Sequence, residues 1–162
     1  MNDKLDCLYK KAKDRARNTE GFGESFAGKC GNISLGLLQD ARRIFGQEVQ
    51  LFVGYVEIKG TKLFHFEDHQ LNEWLNGKPK EKYSVHCWLS LHEEPIDLTL
   101  AESIYEMQRQ KLVTDLIPEG ITYIGQSQAI KHQITHHKKM EGDDVLSRIG
   151  MLPNTVIPRI CG

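Results

Sequence analysis

Residues 30–45 have the sequence CGNISLGLLQDARRIF, and their apolar spacing predicts the helix on which the fold depends. One stripe repeats every three to four residues, the period of an amphipathic helix; its members are Ile33, Leu37, Ala41 and Ile44. Gly46 is well suited to end the helix. Because Cys30 lies seven residues before Leu37, it falls close to the buried stripe. We therefore expect its thiol to point toward the sheet on which this helix packs.

Three segments rich in β-branched and aromatic residues predict that sheet. Residues 48–59 form the first predicted strand and residues 83–91 the second, with His86 and Trp88 on one face because side chains alternate along a strand. Residues 96–98 follow after a short turn, which makes the third strand antiparallel to the second. The expected fold class is α+β, with the cysteine-bearing helix packed on a small antiparallel sheet.

The rest of the chain is predicted in less detail. Further helices are expected over residues 3–17, 99–113 and 126–139, a glycine-rich loop over 18–31, and a short strand and helical turn within 60–80. Thr99 is a candidate N-cap for the helix that it precedes. The 162 residues are expected to form one domain, with a core at about 18–113 and a C-terminal extension over 114–162.

Composition narrows the range of functions. The 21 basic and 22 acidic residues give a net charge of -1, which argues against a nucleic-acid binder that works by counterion release. No apolar run approaches the ~20 residues that span a bilayer, and the start lacks an apolar signal core. We expect a cytoplasmic protein, with delivery by a dedicated export machine left open. The expected partner is a protein or peptide substrate, with no nucleic acid, membrane, cofactor or metal.

The cysteines do not form the pattern of a disulfide framework or a CxxC pair. They are Cys7, Cys30, Cys87 and Cys161. Cys30 stands apart because it joins a glycine-rich loop to a helix start, where unpaired N–H groups and the helix dipole stabilise a thiolate. The other three are expected to be unreactive thiols, and Cys87 is expected to face away from its neighbour His86.

A histidine and an aspartate on neighbouring predicted strands complete a candidate catalytic set. Side chains across a hairpin lie about 5 Å apart when directly opposite and about 7–8 Å apart on the diagonal. Asp97 would then orient His86, which would act as the base for Cys30. A structural alternative is open for each residue: a small buried thiol, a hydrogen-bonded sheet histidine, and an aspartate that caps the next helix.

Four sequence blocks resemble the transglutaminase-like branch of the papain-like cysteine proteases. They are CGNISLGLL at 30–38, VGYV at 53–56, HCWL at 86–89 and IDLT at 96–99. That family has a cysteine opening a helix, a strand often ending in Gly-Tyr, then His-x-Trp and Asp-x-Thr, in this order. The resemblance implies a papain-like fold and thioester chemistry on amides, with Cys30 as nucleophile, His86 as base and Asp97 as the residue that orients His86.

The chain departs from that family's pattern upstream of the cysteine. Lys29 stands where the family often has tryptophan, and the usual oxyanion donor has no clear counterpart. The candidate donors are the N–H of Cys30 together with a side chain from Asn18 or Ser25. Gly28, which leaves space for a substrate backbone, and Trp88 are expected to line the substrate site.

Histidine pairs at helical spacing raise the possibility of a metal site. The pairs are His65 with His69 and His132 with His136, and His137 is adjacent. Neither pair has the glutamate of the zinc-protease motif, so these histidines are expected to be surface residues. Phe64 and Trp74 are expected in the core or in the wall of a cleft, with residues 60–80 as a candidate lid.

Three functions follow from this set of residues. The first is a thiol peptidase or amidase. The second is a protein glutamine deamidase or transglutaminase, including one delivered into another cell, because the chemistry up to the thioester is the same. The third is a protein-binding module that keeps the fold without catalysis.

Overall fold

An antiparallel sheet lies at the centre of the molecule, with helices against both of its faces. The computed structural model describes residues 1–78 and 83–151. Its strands are β1 (Gln50–Ile58), β2 (Thr61–Leu63), β3 (His86–Leu91), β4 (Glu94–Ile96) and β5 (Ile134–Glu141). Its helices are α1 (Asn2–Asn18), α2 (Cys30–Phe45), α3 (Asp68–Leu75), α4 (Leu100–Arg109), α5 (Gln126–Lys131) and α6 (Val145–Arg148). The predicted α+β class, with a small antiparallel sheet, is confirmed.

Helix α2 has the bounds that its apolar stripe predicts, and it packs on β1 and β3. Leu37 and Ala41 are fully buried in this contact. In the described part of the chain, no helix combines the length and apolar character needed to cross a bilayer.

Strand β1 organises the sheet because it pairs along both edges. On one edge its first half pairs with β3 and its second half with β2, and β5 runs along the other edge. Because side chains alternate along a strand, those of β1 point into two different cores, one on each face of the sheet. Val53 belongs to the core under α1, α2 and α6, whereas Val56 belongs to the core under α4 and α5.

The β3–β4 hairpin fixes the position of Asp97. Its two turn residues, His92 and Glu93, both have positive φ, as a two-residue turn that matches the strand twist requires. Leu89 pairs with Ile96, so continuing the register places Asp97 opposite Trp88 and on the diagonal from His86. The strand begins at Glu94, earlier than predicted, and this regular hairpin needs no bulge to bring the two side chains together.

The helix predicted over 126–139 is confirmed for its first six residues and wrong for the rest. Helix α5 ends at Lys131, and residues 134–141 form β5, which pairs with β1. The free edge of β1 would otherwise leave a row of backbone N–H and C=O groups without partners, so sheet pairing outweighs a weak helical pattern. Helix α4 also ends before the predicted residue 113. Cys161 and the last part of the predicted C-terminal extension, residues 152–162, lie outside the described residues.

A buried ion pair between α1 and α2 leads to a stability prediction. Arg15 Nη1 lies 2.6 Å from Asp40 Oδ2, and the two side chains are only 8% and 7% exposed. We expect Asp40→Ala to lower the free energy of unfolding by about 3–5 kcal/mol, because it leaves a buried guanidinium without its charge partner. The control Asp14→Ala, which removes an exposed ion pair with Arg17, should cost about 0.5 kcal/mol or less.

The same pair gives this stability a pH dependence. The hydrogen bond from Arg15 holds the pKa of the Asp40 carboxyl below its ordinary value despite burial. Stability from the pair is therefore complete above the ordinary carboxyl pKa of about 3.9 and is lost as the pH falls below it. Urea unfolding of both variants across acidic pH tests this; an Asp40→Ala loss as small as that of Asp14→Ala would contradict it.

Candidate active site

Cys30 opens helix α2 and is 9% exposed. The loop before it is held by Lys29, whose ammonium group donates hydrogen bonds to the carbonyls of Phe22 and Ser25. The Gly28 N–H donates to Ser103 Oγ at 3.3 Å, which ties the loop to α4. The loop and the helix start therefore fix the position of the thiol from both sides.

The Cys30 thiol lies close enough to His86 for each group to shift the other's pKa, although the two come from different layers. His86 is the first residue of β3, so its ring can meet a thiol that approaches around the end of the strand. The ring Nε2 lies 2.7 Å from Asp97 Oδ2.

Asp97 uses both of its carboxylate oxygens. Oδ2 accepts from His86, while Oδ1 accepts from the N–H groups of Thr99 and Leu100 at 3.2 and 3.1 Å. Asp97 therefore accepts hydrogen bonds both from the start of α4 and from His86. The two roles left open by the sequence, a helix cap and a partner of His86, are compatible. Thr99 is the N-cap residue of α4, as predicted, but its hydroxyl makes no capping hydrogen bond and has no partner among the described residues.

The protonation of the three groups is strongly coupled. The pKa of Cys30 is held well below its ordinary value, chiefly by a hydrogen bond from the Cys87 thiol and then by His86, against the effect of burial. Burial alone would lower the pKa of His86, but the Asp97 carboxylate and Cys30 raise it to about 10. The pKa of Asp97 is lowered despite complete burial, because His86 and His136 stabilise its charge. A thiolate–imidazolium pair is thus favoured at neutral pH.

Two aromatic rings enclose the imidazole of His86. The Phe64 ring stacks on it with centroids 5.2 Å apart, and the Trp88 ring with centroids 5.9 Å apart. His86 is left only 1% exposed. Phe64 has a φ of 57°, a left-handed conformation that is unusual for an aromatic residue and requires support from its surroundings. Trp74 is buried in the core instead.

A second histidine reaches the site from β5. His136 Nε2 lies 2.8 Å from Asp97 Oδ2, and its side chain is 7% exposed. The expectation that this histidine lies on the surface is therefore wrong. Residues 134–141 lack the apolar–polar alternation of a half-buried strand, so they carry no clear local signal for β5.

Cys87 also has a larger part than expected. It does face the opposite side of the sheet from His86, but that side carries α2, and Cys87 lies close enough to Cys30 for the two thiols to shift each other's pKa. This contact and burial raise the pKa of Cys87 well above its ordinary value. Cys7 is exposed.

Asn18, Ser25 and Gly28 are the candidate oxyanion and substrate-site residues that precede Cys30. Asn18 is exposed at the end of α1, and the Ser25 hydroxyl accepts a hydrogen bond from the Ala27 N–H within its own loop. Gly28 has φ of 71° and open space where a side chain would stand. The oxyanion and substrate roles of these residues stay predictions.

His86, Asp97 and His136 also form a cluster of metal-ligand types. One donor atom from each lies within 4.8 Å of the others. Metal–ligand bonds of about 2.0–2.2 Å at right angles or wider would separate the donor atoms by about 2.9 Å or more. The observed N–O separations of 2.7 and 2.8 Å are hydrogen-bond lengths. The geometry therefore favours a hydrogen-bonded network over a metal centre.

Comparison of the chain with protein-family models, with curated proteins and with solved structures found no match.

Proposed function

We propose that this protein is a cysteine-dependent amide hydrolase that acts through a thioester. One observation carries the proposal: a thiol at a helix start lies close enough to His86 for the two groups to shift each other's pKa, and Nε2 of His86 is bonded to the buried Asp97. The chain order, a cysteine-bearing helix followed by strands with the histidine and the aspartate, supports a papain-like arrangement of the transglutaminase-like type.

The proposed reaction divides amide cleavage into two steps. The Cys30 thiolate attacks the amide carbonyl carbon, and the His86 imidazolium gives its proton to the leaving nitrogen, so the C–N bond breaks and a thioester forms. His86, now neutral, takes a proton from water as the water oxygen attacks the thioester. The C–S bond breaks, the carboxylic acid leaves, and the thiolate–imidazolium pair is restored. Asp97 holds the ring and stabilises its positive charge throughout.

The enclosure of the site favours a side-chain amide as a second candidate substrate. Cys30 is 9% exposed and Phe64 covers His86, so a slender glutamine side chain would enter more easily than an extended peptide backbone. The same thioester would then pass to water, which makes the enzyme a deamidase, or to an amine, which makes it a transglutaminase. The chemistry at Cys30 is unchanged in either case.

Mass spectrometry of mixed protein substrates separates these outcomes. Cleavage fragments indicate a peptidase, replacement of an amide nitrogen by oxygen indicates a deamidase, and covalently joined chains indicate a transglutaminase. Each product should be absent when Cys30→Ala is used. If no product forms and Cys30 reacts with iodoacetamide no faster than Cys7 at mildly acidic pH, the protein is instead a binding module.

Removal of metal ions should leave the activity intact. Because the proposed nucleophile is a thiolate and His86 is engaged by Asp97 and Cys30, we expect turnover to be unchanged after dialysis against EDTA. Excess zinc should inhibit, since thiolate and imidazole are both zinc ligands. Activity that EDTA abolishes and that zinc restores would contradict this and assign His86, Asp97 and His136 to a metal centre.

A further inference from the structure

We propose that His136 is a positioning residue for the proposed reaction: it donates a hydrogen bond from Nε2 to Asp97 Oδ2 and so sets how strongly Asp97 holds His86. The inference rests on the proposed function, because it concerns the same site. It adds a fourth side chain to the set of Cys30, His86 and Asp97.

Asp97 bonds two histidines through the same carboxylate oxygen. Oδ2 lies 2.7 Å from His86 Nε2 and 2.8 Å from His136 Nε2. Both imidazoles therefore compete for the negative charge on one oxygen atom. Oδ1 is occupied separately by the N–H groups of Thr99 and Leu100. The carboxylate is anchored through Oδ1, whereas His136 acts on the oxygen that bonds His86.

The backbone of β5 places His136 for this contact. At the end of β5, Glu141 pairs with Phe52 and Met140 with Val53; continuing that register would place His137 opposite Val56. A register shift between Val53 and Gly54 instead places His136 opposite Val56. A slip of one residue exchanges the two faces of a strand. The irregularity therefore turns His136, and not His137, toward Asp97.

Gly54 makes the close approach of the strands possible. A Cβ atom at this position would lie 1.9 Å from the His137 carbonyl oxygen and 3.0 Å from the Trp88 ring. Any other residue would push β5 or Trp88 away from β1. On its other edge, Gly54 pairs with His86. The missing side chain therefore lets β5 approach β1 at the residue that pairs with His86.

Burial shows that His136 is not an incidental surface histidine. Its side chain is 7% exposed, and its ring lies 5.0 Å from the Trp88 ring. Burying an imidazole costs free energy unless its polar atoms are hydrogen-bonded. Among the described residues, the titratable groups against it are Asp97 and, with ring centroids 6.4 Å apart, His86.

Because His86 and His136 share Oδ2, His136 changes how strongly Asp97 holds the His86 proton. With His136 present, part of the charge on Oδ2 is taken by its N–H, so Asp97 holds the His86 proton less tightly. The imidazolium is then a better acid toward the leaving nitrogen. Without that donor, Oδ1 still anchors the carboxylate, but Oδ2 binds the His86 proton more strongly.

The test compares three variants by NMR of protein labelled with ¹⁵N at histidine, and it needs no substrate. His136→Phe removes the donor and keeps an aromatic ring, and His136→Gln keeps an N–H donor. His137→Phe is the matched control, because the His137 ring stacks on Tyr55 on the other face. We expect His136→Phe to move the His86 Nε2–H resonance downfield and its titration up by about one pH unit. His136→Gln and His137→Phe should match the wild type.

Several results would overturn the inference. One is His136→Phe with a wild-type His86 resonance and titration; another is His136→Gln with the same change as His136→Phe, which would indicate a role in packing only. If His136→Phe does not fold, the wild-type spectrum still decides: absence of a hydrogen-bonded His136 Nε2–H signal overturns the inference. Failure of the proposed function would be separate, since a neutral His86 in wild-type protein at pH 7 would refute the triad itself.

Discussion

Replacing Cys30 with alanine is expected to reduce amide turnover by at least about 10⁴-fold. The variant removes the atom that forms the thioester, while His86, Asp97 and the surrounding core stay in place. The side chain lost is small and lies at the edge of the core, so thermal unfolding should change little beside the loss of activity. Rates on the substrate identified by mass spectrometry, with circular dichroism as a check of folding, measure the effect.

Cys7→Ala is the matched control for this result. Cys7 is an exposed thiol on α1 and contributes nothing to the proposed chemistry, so its loss should leave the rate unchanged. Equal activity of Cys30→Ala and Cys7→Ala would show that another residue is the nucleophile.

Replacing His86 with alanine should raise the pKa of Cys30, because it removes the imidazolium that stabilises the thiolate together with Cys87. In the wild type, the lowered pKa of Cys30 and the His86 pKa of about 10 preserve the thiolate–imidazolium pair across neutral pH. Alkylation of Cys30 should therefore proceed at nearly the same rate at pH 6 and pH 9. Without the imidazolium, less thiolate is present at pH 6, so the rate should rise clearly from pH 6 to pH 9, toward the about 200-fold increase of an unperturbed thiol with a pKa of about 8.5.

The ratio of rates within one variant is the appropriate measurement, because removing a ring also opens access to the thiol and changes absolute rates. Iodoacetamide labelling followed by peptide mass spectrometry gives the ratio for Cys30 alone. His92→Ala, an exposed histidine paired with Glu48, is the control and should keep the wild-type ratio. A His86→Ala variant that keeps the wild-type ratio of rates would contradict the role of His86 in the acidity of Cys30.

The central part of the fold could be predicted from the sequence because its signals are local. The apolar period of residues 30–45 defines α2, and the short connection after residue 91 makes the next strand antiparallel. The two-residue turn, shorter than predicted, then sets the register that places Asp97 on the diagonal from His86. The pairing of a cysteine at a helix start with a histidine at a strand start follows from those elements. In the structure, Cys30 and His86 do lie at the same site.

The remaining features of the site depend on contacts between distant segments. Strand β5 forms because β1 needs a partner along its second edge, and no property of residues 134–141 alone reveals that need. The contact of Cys87 with Cys30 depends on which sheet face α2 covers. Phe64 reaches His86 through a left-handed turn that its own residue type disfavours.

The most direct test of the triad is the ultraviolet absorbance of the thiolate as a function of pH, recorded as wild type minus Cys30→Ala. This measurement does not require a reagent to enter the site. We predict a thiolate signal that is already present at pH 6 and persists below it, because Cys87 and His86 stabilise the Cys30 anion. A signal that appears only as the pH rises through about 8.5, the value of an unperturbed thiol, would contradict the account.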